Sequence, residues 1–385
     1  MLANEDSCFK LIMACAAPAL GQSQHKAIKG LASQITDWIA FCDLAAACRL
    51  SPAVFERLSR SDASDAIPAA ELKRLKDAYF ANMGKSAGMI QNLAKVMNAL
   101  QMAGIEALTY KGPILANEAY DDPSVRQFDD LDIIVRKRDL QRARDSIEAE
   151  GYDPCLALPE AIERSPFRPE KPYLLRHRDG SHDIDLSCRL MHDYFSFELP
   201  EEAIWEGSRL YEVDQHSIPT LSREALFVTL CVHGSKHLWS RPSWIGDIAG
   251  LLSKNADSMD WEEIIRLARA TDGLRMVLLG VSLAETFFAA PCPPILKRLL
   301  DEDPKVATLN RELCERLPDR AGKPEVDNME RLGLHLRMRQ RYRTRLRYLL
   351  VRGITPSYND WRALKLPRLL YPLYYLTRPF RLLLR

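Results

Sequence analysis

The sequence has no Cys-X-X-Cys pair, no internal repeat, no low-complexity linker and no apolar run approaching a membrane span. Its nine cysteines scatter from Cys8 to Cys314, an odd number without metal-ribbon spacing. That argues against a disulfide framework and a zinc ribbon, and for a reducing compartment. No uninterrupted stretch comes near the roughly 20 apolar residues that cross a bilayer. The N-terminus carries Glu5 and Asp6 where an export signal carries Lys or Arg, and the short apolar stretch at 11–20 completes no such signal. The expectation is a cytoplasmic protein.

What is present is an ordinary globular mixture, 47% hydrophobic and 27% charged, in 385 residues. That length suffices for two or three domains, or one domain with large additions. The net charge of +1 conceals a polarised chain. From Arg331 to Arg385 there are 14 basic residues and one acid, Asp360, while the remainder holds 39 basic and 51 acidic residues. A tail at +13 against a body at −12 suggests an anionic partner, a membrane surface, or pairing with the body itself.

Residues 1 to about 100 recur in apolar side chains at helical spacing, and Gly104 closes the last of these segments. "IEALTY" (105–110) reads as a short strand broken by "KGP", with Pro113 suited to the first turn of a helix running to about Tyr120. "DDLDIIV" is the next strand, and "KRDLQRARDSIEAEGY" a helix stopped at Gly151. "YLLRHRDGSHDIDLSC" reads as a hairpin turning at Asp179 and Gly180. One more short strand near "LYEV" precedes a return to helix at about Ser222. The fold class expected is α+β: a small mixed sheet flanked by N- and C-terminal helical regions.

The carboxylates fall on the strands. Asp130 and Asp132 are two apart and share one face, while Leu131 and Ile133 take the other; Asp183 and Asp185 repeat the pattern. Carboxylates converging on one face raise one another's pKa unless a cation neutralises them. Oxygen ligands without Cys or His favour Mg²⁺ or Mn²⁺, held by one or two carboxylates and completed by phosphate and water. Lys111 and Gly112 sit at a strand-to-helix turn, where free backbone N–H groups favour a phosphate. Asp129 points to the opposite face and is expected to cap or to pair with Arg126. Arg126 is a candidate for holding phosphate or for orienting Asp130, and Asp183 a candidate for supporting the site.

The segments "LTYKGPILANEAY", "RQFDDLDIIV", "HDIDLSCRL" and "HGSKHLWSRPSWIGDIAGLL" resemble, in that order, a bacterial group described as an uncharacterised nucleotidyltransferase family. More broadly they resemble the DNA-polymerase-β-type nucleotidyltransferase superfamily. The resemblance covers roughly residues 30 to 380. It implies that Asp130, Asp132 and Asp185 bind metal and carry catalysis, with Asp185 helping to deprotonate the acceptor. Gly112 and Lys111 would then hold the triphosphate of an NTP, and Lys236 and His237 would contact phosphate or base. A peptide, glycan or small-molecule acceptor follows from the group's association with polysaccharide and lasso-peptide biosynthesis. Two positions depart from the pattern: "KGP" replaces the superfamily's Gly-Ser, and Ser187 stands where the narrower group often has His. The domain organisation expected is a helical region (1–100), a nucleotidyltransferase core (101–220), a helical region over the cleft (221–330) and a basic helical tail (331–385).

Two other classes compete. His233 and His237, four apart on a helix, suit a zinc hydrolase, but position 234 is Gly where HExxH needs its Glu. A degenerate, non-catalytic transferase recruiting a partner through its tail is the second. Trp239 is a candidate to stack on a base, or to form a helix junction with Trp244 and Asp247. In the tail, arginines at every second position from Arg337 to Arg347 would make a single helix basic all round, suited to an anionic partner or a position peripheral to a membrane.

Overall fold

The computed structural model describes residues 2–18, 22–155, 173–320 and 327–355, then residues 366, 370 and 372–383. One seven-stranded mixed sheet lies at its centre, in an α+β arrangement. Its strands are β1 (Ala107–Thr109), β2 (Asp130–Val135), β3 (Tyr152–Pro154), β4 (Tyr173–His177), β5 (Asp183–Ser187), β6 (Arg209–Val213) and β7 (His216–Thr220). They lie in the order β3-β4-β5-β2-β1-β7-β6. β4 and β5 form the hairpin read from the sequence, with Gly180 at positive φ in its turn. β3 and β7 were not anticipated. β3 has three residues, and β7 carries Pro219, a residue that weakens a strand signal because it cannot donate to a ladder.

The alternation in β2 sorts its side chains between two cores. Leu131, Ile133 and Val135 pack with Leu93, Val96 and Leu100 of the 34-residue helix Ala69–Met102 and with Ile147 of the helix Leu140–Ala149. Ile134, on the other face with Asp132, belongs to a larger core built from both ends of the chain. There Leu11 and Phe41 of the N-terminal helices join Phe227, Ile248 and Leu279 of the helices Arg223–Lys236, Pro242–Asn255 and Leu274–Phe288. The two helical regions thus share one apolar interior, and the carboxylate face of β2 looks toward the wall they form.

Trp239 belongs to that interior. It is fully buried, and glycines make room for its ring: a Cβ on Gly234 would lie 2.5 Å from it and one on Gly280 3.1 Å away. It is therefore not available to stack on a ligand.

The arginine-rich tail differs from a single helix. Helices Asn328–Met338 and Tyr342–Ile354 meet at an extended break whose Arg339 is 2% exposed. Arg339 donates to the carbonyls of His335 and Phe195, and Asp272 accepts from the backbone N–H groups of Gln340 and Arg341 and from the Thr344 hydroxyl. This stretch packs as part of the body. Trp361 lies outside the described residues. No helix among the described residues is long and apolar enough to cross a membrane.

Candidate active site

β1, β2 and β7 are tied at the edge of the cleft by side-chain bonds. The Thr220 hydroxyl donates to the carbonyl of Thr109 (2.6 Å), and the Thr109 hydroxyl to that of Asp132 (2.8 Å). Two residues beyond Thr109 the chain turns into the helix Gly112–Ala119. Gly112 has φ +54°, and a Cβ there would make only ordinary contacts, 3.6 Å from the Asp130 carbonyl. Backbone conformation rather than space demands the glycine. The turn brings Lys111 Nζ to 2.9 Å from Asp132 Oδ1.

β2 and β5 run parallel with Asp130 opposite Asp183 and Asp132 opposite Asp185. The flanking carboxylates have cations of their own. Asp129 accepts from Lys85 (2.6 Å) and pairs with Arg49, correcting the expected pairing with Arg126. Asp183 takes both arms of Arg176, at 2.7 and 2.9 Å. Asp130, Asp132 and Asp185 are left around Lys111. Burial, then the Asp132 carboxylate, pushes Asp185 up to about 7. Asp130 opens to solvent at the mouth, yet enclosure by the cleft walls and then Asp132 raise it too, with Lys111 opposing. The Asp185 Oδ1 atom is buried without a hydrogen-bond partner. Tyr110, buried beneath the three, is driven well above its usual range by burial and then by Asp132.

Arg126 is committed elsewhere. Its guanidinium donates to both oxygens of Asp247 (2.8 and 3.1 Å) and to the Gly112 carbonyl (3.3 Å), and Tyr120 adds a third bond to Asp247 (3.0 Å). This buried group braces the Gly112 turn against the helix Pro242–Asn255. Asn82 reinforces it by donating to the carbonyls of Ser124 and Arg126.

Across a cleft of about 370 Å³ stand His233, His237, Arg241 and Trp244. The two imidazoles are 4.7 Å apart between centroids and lie 5.1 and 5.2 Å from the Trp244 ring. The Arg241 guanidinium lies over that indole at 5.3 Å. Burial, then nearby cations, holds His237 down to about 3 and His233 well below its ordinary value, so both rings are neutral. Lys236 lies deeper, lowered to about 8 by burial and then by Lys111, while Asp185 draws it back up. Arg49 and Arg331 complete the rim.

Among the described residues, no group of three or more His, Cys, Asp or Glu side chains forms a ready cage for a metal ion. That leaves His233 and His237 without the third ligand a zinc hydrolase requires. Mg²⁺ needs less of the protein: one or two carboxylates suffice when phosphates and water supply the rest. Asp132 and Asp185, side by side and all-oxygen, with one buried oxygen unpartnered, fit such an ion.

The residues read from sequence thus divide. Asp130, Asp132, Lys111, Gly112, Arg126 and His237 line the cleft, Arg126 while paired with Asp247, and Asp185 and Lys236 lie behind it. Arg49 and Arg241 were missed. Arg49 comes from the N-terminal region at positive φ, with no local signal, and Arg241 precedes a proline in a stretch weighed for its histidines and tryptophans.

Comparison with known proteins returns one family. The profile of a family described as uncharacterised nucleotidyltransferase matches residues 34–289, a span that holds every cleft residue named above except Arg331. No curated protein and no solved structure matches the chain significantly.

Proposed function

The chain belongs to the uncharacterised nucleotidyltransferase family, and from that membership we propose that it transfers a nucleotidyl group from an NTP to an acceptor, releasing pyrophosphate. The proposal extends to a metal-dependent, DNA-polymerase-β-type site of the bacterial group, with a peptide, glycan or small molecule as acceptor. The observation that carries it is the in-register pair Asp132 and Asp185 beside the Lys111–Gly112 turn.

Bound Mg²⁺ or Mn²⁺ supplies charge to the phosphate oxygens as negative charge builds on them. The protein does the rest. Asp132 and Asp185 would hold the metal with Asp130 at the mouth beside them, and the Gly112 turn with Lys111 would position the triphosphate. The acceptor oxygen bonds to the α-phosphorus, and the bond from that phosphorus to the β-bridging oxygen breaks, releasing pyrophosphate. Asp185 takes the acceptor's proton; in the metal-free protein, burial and the Asp132 carboxylate already raise its affinity for one. Lys236 and Lys111 offset charge on the departing pyrophosphate.

The test is incubation with Mg²⁺ and each of the four NTPs in turn, with a cell extract as acceptor source. Pyrophosphate release accompanied by a nucleotidyl-sized mass increase on an extract component is expected, and both should vanish in Asp132→Asn. Release that persists undiminished in that variant overturns the assignment. Nucleotide binding without turnover under any condition would favour a non-catalytic module.

A further inference from the structure

The helix Tyr342–Ile354 has two faces that behave differently. Its inner face is anchored. Tyr348 is fully buried with its hydroxyl 2.7 Å from His335 Nδ1, and Arg345 donates twice to the Arg339 carbonyl, at 3.0 and 2.7 Å. Its outer face carries Tyr342, Leu346, Leu349, Leu350 and Ile354. At about 100° per residue these fall within roughly 140° of arc, a mainly apolar face that also takes in Gly353 and Arg343. The face is open to solvent, from Tyr342 at 76% exposed to Leu349 at 41%. Arg343, within that arc between Leu350 and Ile354, and Arg347, at its edge, are both exposed. The helix Leu373–Leu383 packs alongside and adds Leu373 and Leu376, the latter 65% exposed. Neither helix contains an acidic residue.

We propose that this face docks the protein on an anionic lipid surface, the aliphatic stripe entering the acyl boundary and the arginines meeting the headgroups. The chemistry selects that occupant. Nucleic acid would engage the cations and leave five large apolar side chains in water. A second copy in the same pose would bring cation-edged stripes together without an acid between them. An anionic bilayer satisfies both halves of the surface at once. The anchored inner face makes the docking rigid, and the hydrogen bond from His335 to the Lys236 carbonyl (3.0 Å) joins it to the cleft wall. The proposal does not depend on which reaction the cleft performs.

The test is sedimentation of the full chain with vesicles of phosphatidylcholine alone and of phosphatidylcholine mixed with phosphatidylglycerol. Binding is expected to the mixed vesicles, falling with salt. Arg343→Gln with Arg347→Gln should weaken it about thirty-fold, at about 1 kcal/mol per cation near the surface. Leu346→Gln with Leu350→Gln should weaken it at least as far while lowering the melting temperature by no more than a few degrees, because both side chains are about half in solvent. Absence of sedimentation, equal binding to neutral vesicles, or indifference to the leucine changes overturns the proposal. So does a concentration-dependent rise in mass by light scattering that the leucine changes abolish, which would assign the face to a dimer.

Discussion

Arg126 and Asp247, 121 residues apart, close on each other through two hydrogen bonds in the interior and so fasten the Gly112-turn side of the cleft to its helical wall. The pair uses up the charge that makes Arg126 attractive as a phosphate ligand. It leaves the arginine one further contact, on the carbonyl of the turn glycine.

Replacing Asp247 by Asn should therefore destabilise the fold by about 3–5 kcal/mol, the cost of stranding a buried charge. An Arg126→Leu/Asp247→Leu double variant should regain most of that loss, as apolar replacement of a buried ion pair usually does. Denaturant unfolding checks both. Nucleotide affinity separates bracing from binding: a brace predicts less than a tenfold loss in the double variant. A hundredfold loss with stability restored would place Arg126 on the phosphate.

Asp132→Asn and Asp185→Asn should each slow transfer by at least about a hundredfold, the scale of losing one electrostatic group at a reacting centre. Their effects on the metal-free fold should differ. Asp132 accepts from Lys111, so its loss unpairs a cation. Asp185 has an unpartnered buried oxygen and a crowding neighbour, so its neutral amide removes repulsion and should raise the metal-free melting temperature. A lower melting temperature for Asp185→Asn would count against carboxylate crowding as the source of its raised pKa.

The strand pairing that aligns these carboxylates was only half legible. Alternation in "DDLDIIV" and "DIDL" told which residues share a face, because the period of a strand is fixed. It did not tell that β2 and β5 lie side by side in parallel register, since register depends on the crossover between them. Charge partners were least legible. Asp129 found Lys85 and Arg49 from the N-terminal helices, and Arg126 found Asp247 from the C-terminal ones, contacts that no local pattern encodes. The alternating arginines misled in a similar way. Period two has no meaning on a helix, and the chain resolves it by breaking at Arg339 and burying that residue.

The raised pKa of Asp185 has a consequence for stability without metal. An unfolded Asp titrates near 3.9, whereas here the folded group is pushed up to about 7. Between those values the unfolded chain has released its proton and the folded chain retains it. Stability conferred by the retained proton is full below about pH 4 and is lost as pH rises to about 7. Melting curves from pH 4.5 to 7.5 should show this decline, flattened in Asp185→Asn. A divalent cation, which selects the ionised carboxylate, should offset it at the upper end. Identical pH profiles for the wild type and Asp185→Asn would remove the basis for assigning Asp185 as proton acceptor.

Trp244 and Trp239 offer a final contrast within five residues of each other. Trp244 lines the cleft beside two neutral imidazoles and the Arg241 guanidinium, an aromatic and cationic wall suited to a stacked nucleobase. Trp239 is sealed behind Gly234 and Gly280. Nucleotide binding should thus quench part of the intrinsic fluorescence, and Trp244→Leu should remove that change and weaken binding by about 1–3 kcal/mol, the value of one base stacked on an aromatic ring. The binding curve should hold level from pH 6 to 8 as far as the histidines are concerned, since His237 is held down to about 3 and His233 is lowered as well. Quenching that survives Trp244→Leu would move the base to another wall of the cleft. A binding limb near pH 6.5 that disappears in His237→Gln would show the imidazole charging on the ligand, and the base would then be held by a cation rather than by a neutral stack.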